Sequence, residues 1–165
     1  MTLKTIWNTV LVAGLLAVGA ASARGAGAAE TESALSEDKP FAEAHIIMQV
    51  SDADPVHYQA VLDIANNLTK HYGGSDMVDI EVIAFGVGVP MLLAHAGTPD
   101  NNDNAQRISS LIEHGVRFYV CGNTLDTLER KTGKKPVVLD GVIRVQTGVA
   151  FMIDEIRRGY LPLHP

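Results

Sequence analysis

Apolar and polar positions along this chain alternate between two rhythms. "HIIMQV" (45–50) is a short apolar run closed by "SDADP", the pattern of a buried strand. Val61, Ile64, Ala65 and Leu68 then recur at i, i+3, i+4 and i+7, which predicts an amphipathic helix. Asp54 is placed to cap that helix, Pro55 to open it and Gly73-Gly74 to stop it. "VDIEVIAFG" (78–86) predicts a second strand, "PMLLAHA" (90–96) a short helix and "GTPDNND" a loop. Ala105, Ile108, Leu111 and Ile112 mark another helix, closed by Gly115. "VRFYV" (116–120) is the third strand, and Cys121 stands at its carboxyl end. Asn123 and Asp126 read as a capping box for the next helix, which turns Leu125 and Leu128 inward and ends at Gly133. A weaker strand, "VIRV" (142–145), precedes a helix over 148–158 with Val149, Met152, Ile153 and Ile156 on its apolar face. "YLPLHP" supplies a last extended segment. Strands alternating with helices of this length predict a three-layer α/β fold, its mostly parallel sheet of about five strands covered on both faces. In such sheets ligands bind beyond the carboxyl ends of the strands.

The amino-terminal pattern follows neither rhythm. Lys4 precedes an apolar run from Val10 to Ala20, and Ala21-Ser22-Ala23 and Ala26-Gly27-Ala28 fit a small-x-small cleavage rule. That is the layout of a secretory signal peptide, assigned to residues 1–29. The run is shorter than the ~20 residues of a spanning helix, so no stable membrane anchor is expected after cleavage. No cysteine lies near the cleavage region to carry a lipid. Residues 30–43, "ETESALSEDKPFAE", read as a flexible acidic tether, and 44–165 as the single folded domain. The expected location is outside the cytoplasm, in the periplasm. Removal of Lys4 and Arg24 leaves eleven basic against nineteen acidic residues, a formal charge of −8 in place of −6. Such a domain is poorly suited to nucleic acid or to an anionic membrane.

Several familiar chemistries fail on spacing. Gly86 and Gly88 begin a dinucleotide fingerprint, but its third glycine falls on Met91. Gly133-Lys134 resembles the end of a phosphate loop whose first glycine would be Leu128. "DNNDNA" (100–105) lacks the turn glycine and the bidentate glutamate of a calcium loop, and reads as a solvated turn. The six histidines form no H-x-x-x-H pattern, and no G-x-S-x-G is present. No metal site and no cofactor are expected. His95 alone is of interest, because a parallel sheet puts it on the same side as Cys121.

Cys121 is the only cysteine. In an oxidising compartment a lone cysteine is buried and inert, bridged to another molecule, or a reactive thiol. A dithiol switch within one chain is impossible. Its place before a helix start favours the thiolate, and Gly122 lets the backbone turn sharply beside it. Against this stands the tendency of free cysteine to pack as a small hydrophobe. An exposed thiolate can accept sulfur as a persulfide, attack an electrophile or bind a soft metal such as Cu(I), with His95 or Met91 as further ligands.

"EHGVRFYVCGNTLDTLERKTGK", with "FGVGVPMLL" before it and "GVAFMIDEIRRGYLPLHP" after it, resembles the DsrE/DsrF-like family of sulfur-transfer proteins. The resemblance covers residues 44–165 and implies a flavodoxin-like fold and a homo-oligomer, trimeric or hexameric. It further implies that Cys121 is the sulfur acceptor of a persulfide carrier, with Gly122, Asn123 and Thr124 steadying the anion and His95 as a proton partner. Small sulfur species or a sulfur-carrier protein are the implied partners. Its exported layout sets this chain apart from members known from tRNA thiolation and intracellular sulfur oxidation. The rival expectation is a non-enzymatic oligomeric binding module that holds a soft metal through Cys121.

Overall fold

Strand β1 (Ala44–Val50) leads into helix α1 (Pro55–His71), whose start is set by two side chains. The Asp54 carboxylate accepts the Val56 N–H at 2.9 Å, and Pro55 removes a donor that would have no partner in the first turn. At the far end Gly73 takes φ +83°, and the Gly74 N–H reaches back to the Thr69 carbonyl at 3.0 Å. A side chain with a Cβ would resist that left-handed turn, so the glycines end the helix. The computed structural model describes residues 39–94 and 102–165. The leader, most of the acidic stretch and the loop 95–101 with His95 lie outside the described residues. The chain divides into two units, 1–30 and 31–165, and the second holds everything described.

Four more strands complete the sheet: β2 (Val78–Ala84), β3 (Arg117–Cys121), β4 (Ile143–Val145) and β5 (Leu161–Leu163). Their order is β4-β3-β2-β1-β5, and every pairing is parallel. This is the three-layer α/β architecture expected from the alternation, and it is flavodoxin-like as the resemblance implied. Helices α2 (Asn102–Glu113) and α3 (Gly122–Thr132) share one face with α1, and their Ile108, Leu111 and Leu125 join the larger core cluster. Helix α4 (Gly148–Arg157) covers the other face. Handedness explains the split. A right-handed crossover that advances along the sheet lays its helix on one face, and one that returns lays it on the opposite face. From β1 to β4 the chain advances; from β4 it returns past β1 to the outer edge, and α4 is the helix of that return.

Several local expectations need correction. Helix α4 turns Gly148, Phe151 and Glu155 to the sheet, and Val149 and Ile153 are exposed. Only Met152 and Ile156 of the predicted face pack, at the flank of the smaller core cluster. The segment before the loop is a 3-10 helix over Gly86–Leu92, earlier than the predicted 90–96. Gly86 at φ +57° opens that turn, and Leu93 leaves it to form an antiparallel bridge with Val138. Residues 102–105 of the supposed solvated turn already belong to α2, and Asn104 is buried. Lys39, which falls in the predicted tether, bonds to the domain. Lys39 donates from Nζ to the carbonyls of Ser75, Val78 and Gly115 at 2.6, 3.1 and 2.8 Å, and so staples the chain to the sheet's amino-terminal edge.

The alternation in "VDIEV" carries a feature that the sequence reading passed over. Asp79 and Glu81 are fully buried, and they point to the α4 face. Arg117 pairs with both carboxylates, Tyr160 donates to Asp79 at 2.8 Å and Tyr119 to Glu81 at 3.2 Å. Buried Glu155 of α4 binds Arg158. Charges removed from water persist only when paired in this way.

At Gly88 two segments cross closely. A Cβ there would stand 2.2 Å from the Val50 carbonyl oxygen, a backbone atom that cannot rotate away. Gly88→Ala is expected to lower unfolding stability by about 2 kcal/mol or more in urea titration. A change within a few tenths would mean that the two segments separate easily.

Candidate functional site

Cys121 ends β3 and, in extended conformation (φ −69°, ψ 116°), is itself the cap residue of α3. The helix therefore begins at Gly122, ahead of the predicted cap, and the capping box between Asn123 and Asp126 does not form. Asn123 instead ties α3 to the turn after β4. Its amide donates to the Thr147 hydroxyl at 3.1 Å and accepts from the Gln146 amide at 2.7 Å. Asp126 accepts from Arg144 at 2.8 Å.

Because β4 lies parallel to β3, with Cys121 opposite Val145, the segment that leaves β4 passes directly beside the thiol. Helix α4 begins there. The Gly148 N–H donates to Cys121 Sγ at 3.4 Å, and a Cβ on Gly148 would come 3.1 Å from that of Cys121. The sulfur thus lies between the starts of two helices that depart on opposite faces of the sheet. This is the switch point at which open α/β sheets form their clefts. On the other side, Thr124 Oγ1 accepts the Gly86 N–H at 3.1 Å and holds the Gly86–Leu92 segment against α3.

Burial pushes the Cys121 thiol up, since only 6% of the residue is exposed. Four donors outweigh that effect: the Gly148 N–H, the Thr124 hydroxyl, the Thr124 N–H and the Asn123 N–H, the last also bound to the Gln146 carbonyl at 3.0 Å. Together they hold the thiol below its ordinary value. When protonated, it has the Gln146 carbonyl at 3.9 Å as an acceptor.

Of the residues expected around the cysteine, Gly122, Asn123 and Thr124 are brought to it. Met91 is buried in the larger core cluster. His95 lies outside the described residues. Among those described, no three His, Cys, Asp or Glu side chains converge as a metal site would need. The sequence reading missed Gly148, Thr147, Gln146 and Arg144. Their signal was available, because a fourth parallel strand must end beside the third, and "QTG" before an apolar helix supplies a polar turn there.

A model of the DsrE/DsrF-like family matches residues 45–148. Two solved structures share the fold. A protein of unknown function from Methanobacterium thermoautotrophicum, MTH1491, is 24% identical, with a TM-score of 0.62 over 74% of this chain and 100% of its own. The ychN protein of E. coli is 16% identical, with a TM-score of 0.54 over 74% of this chain and 99% of its own. No curated protein matches.

The Thr124 hydroxyl is the one side-chain donor to the sulfur, and its substitution also releases the Gly86 N–H. Thr124→Val is expected to raise the midpoint of the pH profile for iodoacetamide alkylation and to slow the reaction at pH 7 by roughly three- to tenfold. An unmoved midpoint would show that the hydroxyl does not act on the thiolate.

Proposed function

This chain belongs to the DsrE/DsrF-like family, and from that premise we propose that it accepts and passes on sulfane sulfur as a persulfide on Cys121. The observation that supports this reading is the seat of the sulfur between two helix starts, where backbone N–H groups favour an anion. In the loading step the Cys121 thiolate attacks the outer sulfur of a persulfide R–S–SH. A new S–S bond forms to Cys121, the old one breaks, and R–S⁻ leaves with the electron pair. The product is Cys121–S–SH, and no external oxidant is consumed. An acceptor thiolate attacking that outer sulfur reverses the roles and restores Cys121.

The donors that hold the thiolate also suit the persulfide anion, one sulfur further out. Small polysulfides or a sulfur-carrier protein supply the donor. The amino-terminal layout of charge, apolar run and small residues supports export and work in the periplasm. The chain acts as a homo-oligomer in this reading, and the outward Val149 and Ile153 of α4 offer apolar surface for it.

Intact mass after incubation with polysulfide tests the proposal. A gain of ~32 Da per sulfur atom is expected, reversed by reductant and absent in Cys121→Ser. No gain, together with a native thiol that resists alkylation, would leave Cys121 as packing and remove the mechanism.

A further inference from the structure

Helices α1 and α2 part toward their carboxyl ends around a cavity of about 560 Å³, lined by residues of both. Those ends lead into β2 and β3 at the amino-terminal edge of the sheet, whereas Cys121 closes the carboxyl edge. The volume falls within the ~300–1,000 Å³ of small-ligand sites. Leu62 and Leu111, both buried, form its floor, and the aliphatic stems of Lys70 and Arg107 extend that apolar surface. On the α1 side the wall falls to Gly73-Gly74, where an added Cβ would meet nothing within 4 Å. The charge on the walls has one sign. Lys70, Arg107 and His114 line the cavity, and among the described residues no carboxylate does. In a chain with nineteen acidic and thirteen basic residues such a lining is unusual. Gln59 and Asp63 both accept from Arg107, which fixes its guanidinium and offsets its charge. Lys70 has no ion-pair partner among the described residues. His114 Nδ1 lies 2.6 Å from the Ser110 carbonyl, which can only accept, so the proton sits on Nδ1 and Nε2 is left for another partner.

We infer that the cavity between α1 and α2 is a second ligand site, which takes a small organic anion with an apolar body and one acidic head. The body lies on the leucine floor, where burial of apolar area supplies affinity. The head meets Lys70, whose charge no neighbour offsets, and Lys70 thereby sets the sign of the ligand. Asn66 and Ser110 add an amide and a hydroxyl to the same wall. The whole chain is acidic, with a formal charge of −6, and repels anions at long range. An inorganic anion, which gains nothing from the floor, is therefore a poor occupant. A neutral apolar molecule forgoes Lys70. The site needs both halves of the ligand, and it is independent of the chemistry at Cys121.

Backbone amide chemical shifts of the whole chain, titrated with 1-naphthalenesulfonate, test the site. The probe has a flat apolar body and one permanent negative charge. Saturable shifts are expected over residues 66–74 and 107–114, with residues 121–124 unmoved. Lys70→Gln alters an exposed side chain and leaves the bonds of Arg107 to α1 intact. It is expected to weaken binding roughly three- to tenfold, and Lys70→Arg to retain it. The neutral 1-naphthalenemethanol should bind wild type more weakly by a similar factor, and added salt should narrow that difference. Inorganic sulfate should give no saturable shift over the same concentrations. Shifts that never saturate, or that gather elsewhere, as at the exposed Val149 and Ile153, would overturn the inference. So would equal affinity for the sulfonate and the alcohol, or for wild type and Lys70→Gln. Sulfate bound as tightly as the sulfonate would overturn it as well, since the floor would then contribute nothing.

Discussion

Everything around Cys121 depends on where one crossover turns back. Three successive strands after β1 advance along the sheet, and their helices stack on one face. The fourth connection must return to the outer edge of β1, and right-handedness then forces α4 onto the opposite face. The carboxyl ends of β3 and β4 consequently feed helices that diverge. The last residue of β3 is a cysteine, and its sulfur lies between those two helix starts. Without that reversal the sulfur would have one helix start beside it. With it, the Gly148 N–H comes within 3.4 Å as well.

The same helix is held at its other end by chemistry unusual for a sheet interior. Asp79, Glu81 and Glu155 have no exposure at all, and Arg117, Arg158, Tyr119 and Tyr160 meet them. An apolar replacement of such a cluster is often no less stable, whereas removal of one member is costly. What the cluster supplies is geometry, since the Tyr160 hydroxyl, donating to Asp79 at 2.8 Å, fixes the segment that follows α4 by a directional bond. Phe151, stacked on Tyr119 at 4.3 Å between ring centroids, supplies the apolar part of the seat. The position of Gly148 at the thiol is thus tied to contacts one to two turns away along α4.

Two opposing effects meet at the sulfur, and their balance decides its character. Burial alone would make Cys121 an ordinary core residue with an elevated pKa. Backbone donors that have no intrahelical partner, because they belong to first turns, reverse that outcome. The glycines make the reversal possible. Gly148 lets α4 start in contact with Cys121, and Gly122 leaves room for Arg144. Small residues are used here to bring backbone dipoles close to a site that stays largely shielded from water.

Much of the fold was legible in one dimension because its causes are local. Periodicity marked α1, the Asp54–Pro55 start and the Gly73-Gly74 stop acted as written, and the tail did form an edge strand. Cys121 was visible as the only thiol at a strand end, and Gly122, Asn123 and Thr124 followed from adjacency. The errors share a physical origin. Helix α4 carries apolar residues at two offsets, and only the sheet beneath it decides that Phe151 and Glu155 face inward. Asp79 and Glu81 look solvent-facing until Arg117 and two tyrosines are placed against them. Gly148 lies 27 residues beyond Cys121 and becomes its neighbour only through β3–β4 pairing. The sequence by itself determined the elements, their order and the one cysteine at a strand end, since these depend on local propensity and composition. Which groups surround that sulfur was decided by tertiary structure alone, because it depends on strand order and crossover hand, which no short window of residues encodes.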